Sequence, residues 1–288
     1  MDNLEFETLT SDEFKEYMQT HKEKEYLVID VRQASEYEEE HIPGAKLMPL
    51  SQVETKLFTL PADRDLIFYC ANGGRSTWAA SLAGEGEVSN KTVYHVMGGI
   101  LAWQGKTMSG YPKVKIFDKD QSLKDLLATA MDLEKGAWRF YQYAKEKYRE
   151  DPICLTLEQV SIAEKAHATL IHRFWQKFQD NPPPFDRVYQ DLSGEILEGG
   201  HDFEETCRHL DSIQKHGCTA VIDLAMTIEY SAFELYRTMA ERSENSEAQS
   251  IFLSIAQAEK AHMRALARAI DQCPQNDMSP THAIPQDT

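Results

Sequence analysis

Ala163–His167 reads AEKAH, and Ala258–His262 reads AEKAH again. The match extends upstream of each copy, where residues 130–141, AMDLEKGAWRFY, align with residues 225–236, AMTIEYSAFELY. Both matches carry one offset of 95 residues (134 to 229, 167 to 262). In each copy a lone glutamate precedes the E-x-x-H glutamate by 30 residues, Glu134 before Glu164 and Glu229 before Glu259. Unrelated helical hairpins have no reason to share that register, so this half of the chain reads as a duplicated helix pair.

Helical period fills the same half. Leu123, Leu127, Ala130, Glu134, Ala137, Tyr141 and Ala144 recur at three- and four-residue steps, which predicts one face of a long helix. A second helix is expected from about Pro152, tolerated in a first turn, to Gln179, where Asn181-Pro182-Pro183-Pro184 stops it. Two more are expected over Thr219–Arg242 and Ser246–Gln272. The polar segment Phe185–Thr219 is too long for a tight turn and suits a crossover with its own helix around Phe203–Lys215. The result is an all-α four-helix bundle with one long connection, over residues 120–273. Residues 274–288 have little to bury and are expected to be a flexible tail.

The chemistry follows from the spacing. In E-x-x-H the carboxylate and imidazole share a helical face and can bind one metal together. A glutamate on the partner helix can bridge to a second metal. Two facing hairpins would therefore bring Glu134, Glu164, His167, Glu229, Glu259 and His262 into one core. That set matches the ligand pattern of ferritin-like di-iron and di-manganese carboxylate proteins. Four buried carboxylates would repel one another unless cations neutralised them, which two divalent metals do. A single E-x-x-H in a glutamate-rich helix is ordinarily a solvated face; the second copy in register is the argument for a metal. Tyr141 and Tyr236, two turns beyond Glu134 and Glu229, are either core aromatics or partners of the ligands.

The first part of the chain has another texture. Up to about residue 115, short apolar runs such as Tyr26–Ile29 and Leu66–Tyr69 alternate with helical stretches such as Ser11–Thr20 and with Pro43-Gly44, Gly73-Gly74 and Gly98-Gly99. This predicts a separate α/β domain, residues 1–115, with a largely parallel sheet. Cys70 follows the expected strand Leu66–Tyr69 and opens the loop Cys70-Ala71-Asn72-Gly73-Gly74-Arg75-Ser76, with a helix from Thr77. A cysteine there faces unpaired backbone N–H groups at a helix start, which stabilise a thiolate and make it nucleophilic. Gly73 and Gly74 allow the backbone to curl around the sulfur. Arg75 can add positive charge or clamp an anionic substrate. Cysteine phosphatases use C-x5-R, whereas four residues separate Cys70 from Arg75, a tighter loop that fits a sulfur better than a phosphate.

Composition bounds these readings. The chain has 288 residues, more than one ordinary domain needs, with 42% hydrophobic and 27% charged residues. Thirty Lys+Arg against 47 Asp+Glu give a net charge of −17, which argues against a nucleic-acid binder. The 5 cysteines contain no C-x-x-C pair and no even framework, so a disulfide scaffold or zinc ribbon is not expected and a reducing, cytoplasmic setting is. No stretch approaches a membrane span, and the N-terminus has no secretory pattern. Cys207, His209, His216 and Cys218, with His201 nearby, match no zinc spacing and are read as a polar crossover. Cys154 and Cys273 are read as packing or surface residues, and His172 is expected on another face from His167.

Ile29-Asp30-Val31-Arg32, Glu36-Tyr37, His41-Ile42-Pro43-Gly44-Ala45, Cys70–Ser76 and Val96–Ile100 with Trp103, in that order, closely resemble the rhodanese-like family over about Leu4–Val114. The family's C-x-x-G-x-R-S loop matches Cys70–Ser76. The resemblance implies a Cys70 persulfide, charged from thiosulfate or another sulfane-sulfur donor and discharged to a thiol or cyanide. Asp30 and Arg32 are expected to brace the loop, Gly98 and Gly99 to form a turn, and Trp103 to be core. An expected glycine is replaced by Glu40, a change confined to a surface turn.

Residues 123–272 resemble the rubrerythrin branch of the ferritin-like superfamily. That implies two non-haem irons, with manganese or zinc as alternatives, a homodimer, and reduction of peroxide or dioxygen. Two departures stand out. Ala232 occupies the place of an additional glutamate three residues after the third-helix ligand, and there are no C-x-x-C iron knots, so electrons would come from a separate donor such as a rubredoxin. The whole reads as a bifunctional sulfur and redox protein. The alternative is a sulfurtransferase whose bundle is mainly structural, or a sensor of iron or redox state.

Overall fold

Tyr26–Asp30 is buried at every residue, as a strand covered on both faces must be. In the computed structural model, which describes residues 6–117, 121–213 and 217–273, that strand is β2 of a five-stranded, wholly parallel sheet. The elements run β1 (Glu7–Leu9), α1 (Ser11–Thr20), β2, α2 (Ala34–Glu39), β3 (Lys46–Leu47), α3 (Leu50–Lys56), β4 (Asp65–Tyr69), α4 (Gly74–Glu85), β5 (Val93–Val96) and α5 (Gly99–Ala102). Strand order is β1-β5-β4-β2-β3, which makes β4 central.

The period of two sorts the strand side chains into two cores. Leu27, Ile29, Leu66 and Phe68 pack with Val53 of α3 and Ala79, Ala80 and Ala83 of α4. Tyr26, Val28, Ile67 and Tyr69 point the other way, onto Phe14 and Tyr17 of α1, Tyr37 of α2 and Ile100 of α5. Helix α1 begins where the sequence reading placed it, because Thr10 and Glu13 form a reciprocal cap: the Glu13 N–H donates to the Thr10 hydroxyl, and Glu13 accepts from the Thr10 N–H. Trp103 is partly buried against Phe14. Asp30 and Arg32 form a buried ion pair, and Arg32 also donates to the Glu40 carbonyl at 2.6 Å, so the pair braces the turn that Glu40 occupies.

The helical part runs α6 (Leu123–Lys147), α7 (Cys154–Trp175), α8 (Phe185–Asp191), β6 (Ile196–Leu197), β7 (His201–Asp202), α9 (Phe203–Ile213), α10 (Gly217–Arg242) and α11 (Ser246–Ala269). The four long helices are those expected. The crossover holds more than its one expected helix: α8 and the antiparallel pair β6–β7 precede α9. The expected end of that helix at Lys215, His216, and the tail 274–288 lie outside the described residues.

Two compact units emerge. One contains the described residues of Met1–Lys113 together with Phe233–Gln257, the adjoining ends of α10 and α11. Buried polar contacts fasten this piece within its unit: His41 Nε2 lies 2.5 Å from Glu234 Oε1, and Arg237 donates to Glu23 and to the Tyr26 carbonyl. The other comprises the described residues of Val114–Ala232 and Ala258–Thr288. Its core draws Ala137, Phe140 and Ala144 from α6, Leu157 and Val160 from α7, Val221, Ile222 and Ala225 from α10, and Leu266 from α11. Among the described residues no helix is long and apolar enough to cross a membrane.

One cysteine assignment is corrected. Cys218 and Cys273 form a disulfide, so neither belongs to a free crossover cluster or to an inert surface. Cys218 lies at the start of α10 and Cys273 just after α11; an antiparallel hairpin brings the start of one helix to the end of the other across 55 residues of sequence. Cys70, Cys154 and Cys207 are free thiols.

Candidate functional site

Cys70 follows the last residue of central strand β4, and the next turn delivers the chain into α4. Gly73, at φ +102°, takes the left-handed conformation that reverses the backbone beneath the sulfur, and its N–H donates to Cys70 Sγ at 3.1 Å. Ser76 is buried, with its hydroxyl donating to the Gly73 carbonyl at 2.9 Å. Ala71 accepts from the Leu101 N–H, and Asn72 Oδ1 accepts from the Gly74 N–H at 3.2 Å. Burial raises the Cys70 thiol, but the N–H groups of Ser76, Gly73 and Asn72 and the Ser76 hydroxyl outweigh it and bring the pKa below its ordinary value.

Gly98 and Gly99, both left-handed, form the expected turn, and it abuts the loop from behind. A Cβ on Gly99 would lie 2.1 Å from the Cys70 carbonyl oxygen, which accepts from the Ile100 N–H at 2.8 Å. Arg75 is paired with Glu36. Its two terminal nitrogens each donate to Glu36 at 2.7 Å, and that pairing holds the Glu36 carboxyl down at about 2. In the sequence Glu36 stands only within the Glu36-Tyr37 motif; a glutamate near Arg75 in space carries no signal in the linear order.

The six residues of the repeat converge in the second unit. Glu134 comes from α6, Glu164 and His167 from α7, Glu229 from α10, and Glu259 and His262 from α11. All four glutamates are wholly buried, and the two histidines nearly so. His167 Nδ1 lies 3.3 Å from Glu134, 3.4 Å from Glu164 and 3.3 Å from Glu259. His262 Nδ1 lies 3.0 Å from Glu164, 2.9 Å from Glu229 and 3.1 Å from Glu259. The imidazoles stack with centroids 4.9 Å apart. Tyr141 donates its hydroxyl to Glu229 Oε1. Tyr236 is buried with its ring beside Phe252. His172 points away, toward the Pro183 carbonyl at 3.1 Å.

A seventh residue joins them. Glu198, in the turn between β6 and β7, is fully buried, and one of its oxygens clusters within 4.8 Å of oxygens from Glu134, Glu164 and Glu259. In the sequence it falls in the polar crossover Phe185–Thr219, where no period marks it.

Burial pushes Glu134 up to about 8 and raises Glu198 and Glu229 well above the carboxylate range. Burial also opposes the charged forms of Glu164 and Glu259, but the imidazoles hold both below the ordinary value, and the carboxylates in turn raise both imidazoles. Neither oxygen of Glu164, Glu198 or Glu259 has a hydrogen-bond partner of ordinary geometry, nor has His167 Nδ1. Buried acceptors left in that state fit cations better than protons. The donor set of carboxylate oxygens and imidazole nitrogens suits iron, manganese or zinc.

Comparison with known proteins finds two families in the chain. Residues 10–106 match the rhodanese-like domain model, and residues 220–284 the rubrerythrin model. The uncharacterized protein YqhL of Bacillus subtilis is 33% identical over 99 residues, covering 34% of this chain and 73% of its own. The putative sulfurtransferase YtwF of the same species is 32% identical, covering 36% and 96%. The probable adenylyltransferase/sulfurtransferase MoeZ of Mycobacterium tuberculosis is 35% identical over 33% of this chain, which spans only 24% of that relative. A solved rhodanese-like domain protein from Staphylococcus aureus is 26% identical with a TM-score of 0.32, covering 35% of this chain and 94% of its own. The chain belongs to the rhodanese-like family through its first unit and carries a rubrerythrin domain in its helical part.

Proposed function

We propose that this protein transfers sulfane sulfur through a persulfide on Cys70, and that its helical unit holds two non-haem irons with which it reduces peroxide or dioxygen. The observation that carries the first part is a single thiol ringed by backbone N–H groups and held below its ordinary pKa. The Cys70 thiolate attacks the outer sulfur of thiosulfate or of a persulfide. A new S–S bond forms to Cys70, and the donor's S–S bond breaks, releasing sulfite or a thiolate with its electron pair. The N–H groups of Asn72, Gly73 and Ser76 hold the negative charge on the sulfur. A thiol or cyanide then takes the outer sulfur and returns Cys70 as thiolate.

In the helical unit, Glu134 and His167 would hold one metal and Glu229 and His262 the other, with Glu164 and Glu259 facing both. Bound iron supplies the two electrons that an oxidant takes up. Tyr141 fixes the Glu229 carboxylate by its hydroxyl donation and holds a proton next to the site. Burial keeps bulk water from the cluster. With no C-x-x-C knot in the sequence, reducing equivalents would come from a separate donor such as a rubredoxin, and the likeness to rubrerythrins makes a homodimer part of the proposal.

Two measurements test this. Thiosulfate-dependent cyanide conversion is expected in the purified protein and is expected to vanish in Cys70→Ser; retained turnover refutes the nucleophile. Anaerobic iron reconstitution is expected to load about two irons per chain, which peroxide or dioxygen then oxidises. Iron near zero, or reconstituted iron inert to both oxidants, would sink the second part.

A further inference from the structure

We infer that Glu198 is a fifth carboxylate ligand of the metal site, delivered by the crossover to the position served by Glu134 and His167. The inference rests on the two-metal reading above and concerns a residue outside the duplicated repeat.

The turn that carries Glu198 is built to enter the bundle. Gly199 and Gly200 both adopt positive φ, at 73° and 77°, so the chain reverses within two residues after Glu198. The strands on either side pair tightly, Ile196 with Asp202 and Leu197 with His201. Two glycines remove the side chains that would keep this turn out. A Cβ on Gly136 of α6 would lie 2.1 Å from the Ile196 carbonyl oxygen, and a Cβ on Gly199 would lie 2.4 Å from Ser231 Cβ on α10. The turn is therefore wedged against the backbones of both helices that supply the terminal glutamates. Leu197 anchors it in the apolar core.

What the wedge delivers is a carboxylate with no visible purpose in the fold. Glu198 is 0% exposed, and neither oxygen has a hydrogen-bond partner. A buried carboxyl without partners is costly to the fold. Nothing in the packing of the turn requires it, and an alanine there would avoid the cost. Its oxygen instead joins those of Glu134, Glu164 and Glu259. Glu229, on the other side, is met by the Tyr141 hydroxyl. The duplication would make the two metal positions alike; Glu198 and Tyr141 make them different.

The test is anaerobic Co(II) titration of the full chain, followed by equilibrium dialysis and visible absorption, comparing wild type with Glu198→Gln. Wild type is expected to bind about two Co(II) per chain. The variant is expected to bind one of them about tenfold or more weaker, with a changed spectrum, and the other unchanged, since loss even of an outer partner costs that much. Two unchanged affinities with an unchanged spectrum would overturn the inference while leaving the metal site intact. Absence of Co(II) uptake by wild type would overturn the metal reading itself. Should Glu198→Gln fail to fold, Glu198→Asp decides: a selective drop at one position supports ligation, and wild-type binding overturns it.

Discussion

Glu164 and Glu259 share the same two neighbours: each directs one carboxylate oxygen at Nδ1 of His167 and the other at Nδ1 of His262, at 3.0 to 3.4 Å. Glu134 meets His167 and Glu229 meets His262. The duplicated motif has thus produced two kinds of glutamate, those of the E-x-x-H pairs facing both halves of the cluster and the lone ones facing one half each.

The two kinds are expected to differ on substitution. Glu164→Gln or Glu259→Gln removes a charge that both metal positions share, so metal content after anaerobic reconstitution should fall from about two per chain toward zero. Glu134→Gln or Glu229→Gln should leave about one. Equal losses across all four variants would contradict the division of roles.

The Cys70 loop makes a prediction in pH. The Ser76 hydroxyl, which can turn its one proton from the Gly73 carbonyl to a Cys70 thiolate, is one of the groups lowering the Cys70 thiol. Losing that hydrogen bond removes a group that favours the thiolate, so Ser76→Ala should raise the thiol pKa. A raised pKa leaves less thiolate at neutral pH. The acid limb of kcat/KM for thiosulfate should therefore move to higher pH, with the variant approaching wild type in the alkaline range. A uniform loss at every pH would point instead to a collapsed loop.

Arg75 gives a third test, because Glu36 engages both terminal nitrogens of its guanidinium. With the Glu36 carboxyl held down at about 2, the pair is intact at any pH where the enzyme would be assayed. Glu36→Gln removes a negative charge beside the loop and frees Arg75 for an anionic substrate. KM for thiosulfate is expected to fall several-fold with little change in kcat, and the gain should shrink as salt is raised. Arg75→Ala should raise KM. An increase of KM in Glu36→Gln would mean that Arg75 acts only in the orientation Glu36 imposes.

Much of this was legible in the sequence, for identifiable reasons. Glu134 and Glu229 were found because helical period and a repeated register survive in linear order, and Cys70 because a strand end, two glycines and a helix start are contiguous. Glu198 was not, because a two-residue strand and a glycine turn have no period, and what marks it is proximity to Gly136, more than 60 residues earlier. The Cys218–Cys273 pair escaped for the same reason. Five cysteines with no regular spacing suggested free thiols, yet the antiparallel α10–α11 hairpin alone decides that these two meet. Local chemistry can be read from a chain; partners chosen by the packing of distant segments cannot.

Gly136 offers a test in which two effects oppose. It sits within α6, two residues after Glu134, and replacing a mid-helix glycine by alanine ordinarily stabilises a helix by about 1 kcal/mol. Here the added Cβ would fall 2.1 Å from the Ile196 carbonyl oxygen and 3.0 Å from the Leu197 Cα, both backbone atoms without a flexible end to yield. The clash should win. Gly136→Ala is expected to melt lower than wild type, against helix propensity, and to push the β6–β7 turn outward. Glu198 would withdraw with it, so the metal position weakened in Glu198→Gln should also weaken in Gly136→Ala, although no ligand has been altered. Combining the two substitutions should then cost little more affinity than either alone, because both remove the same carboxylate from the site. If Gly136→Ala were stable and bound Co(II) like wild type, the close approach of the turn to α6 would not be what holds Glu198 in place.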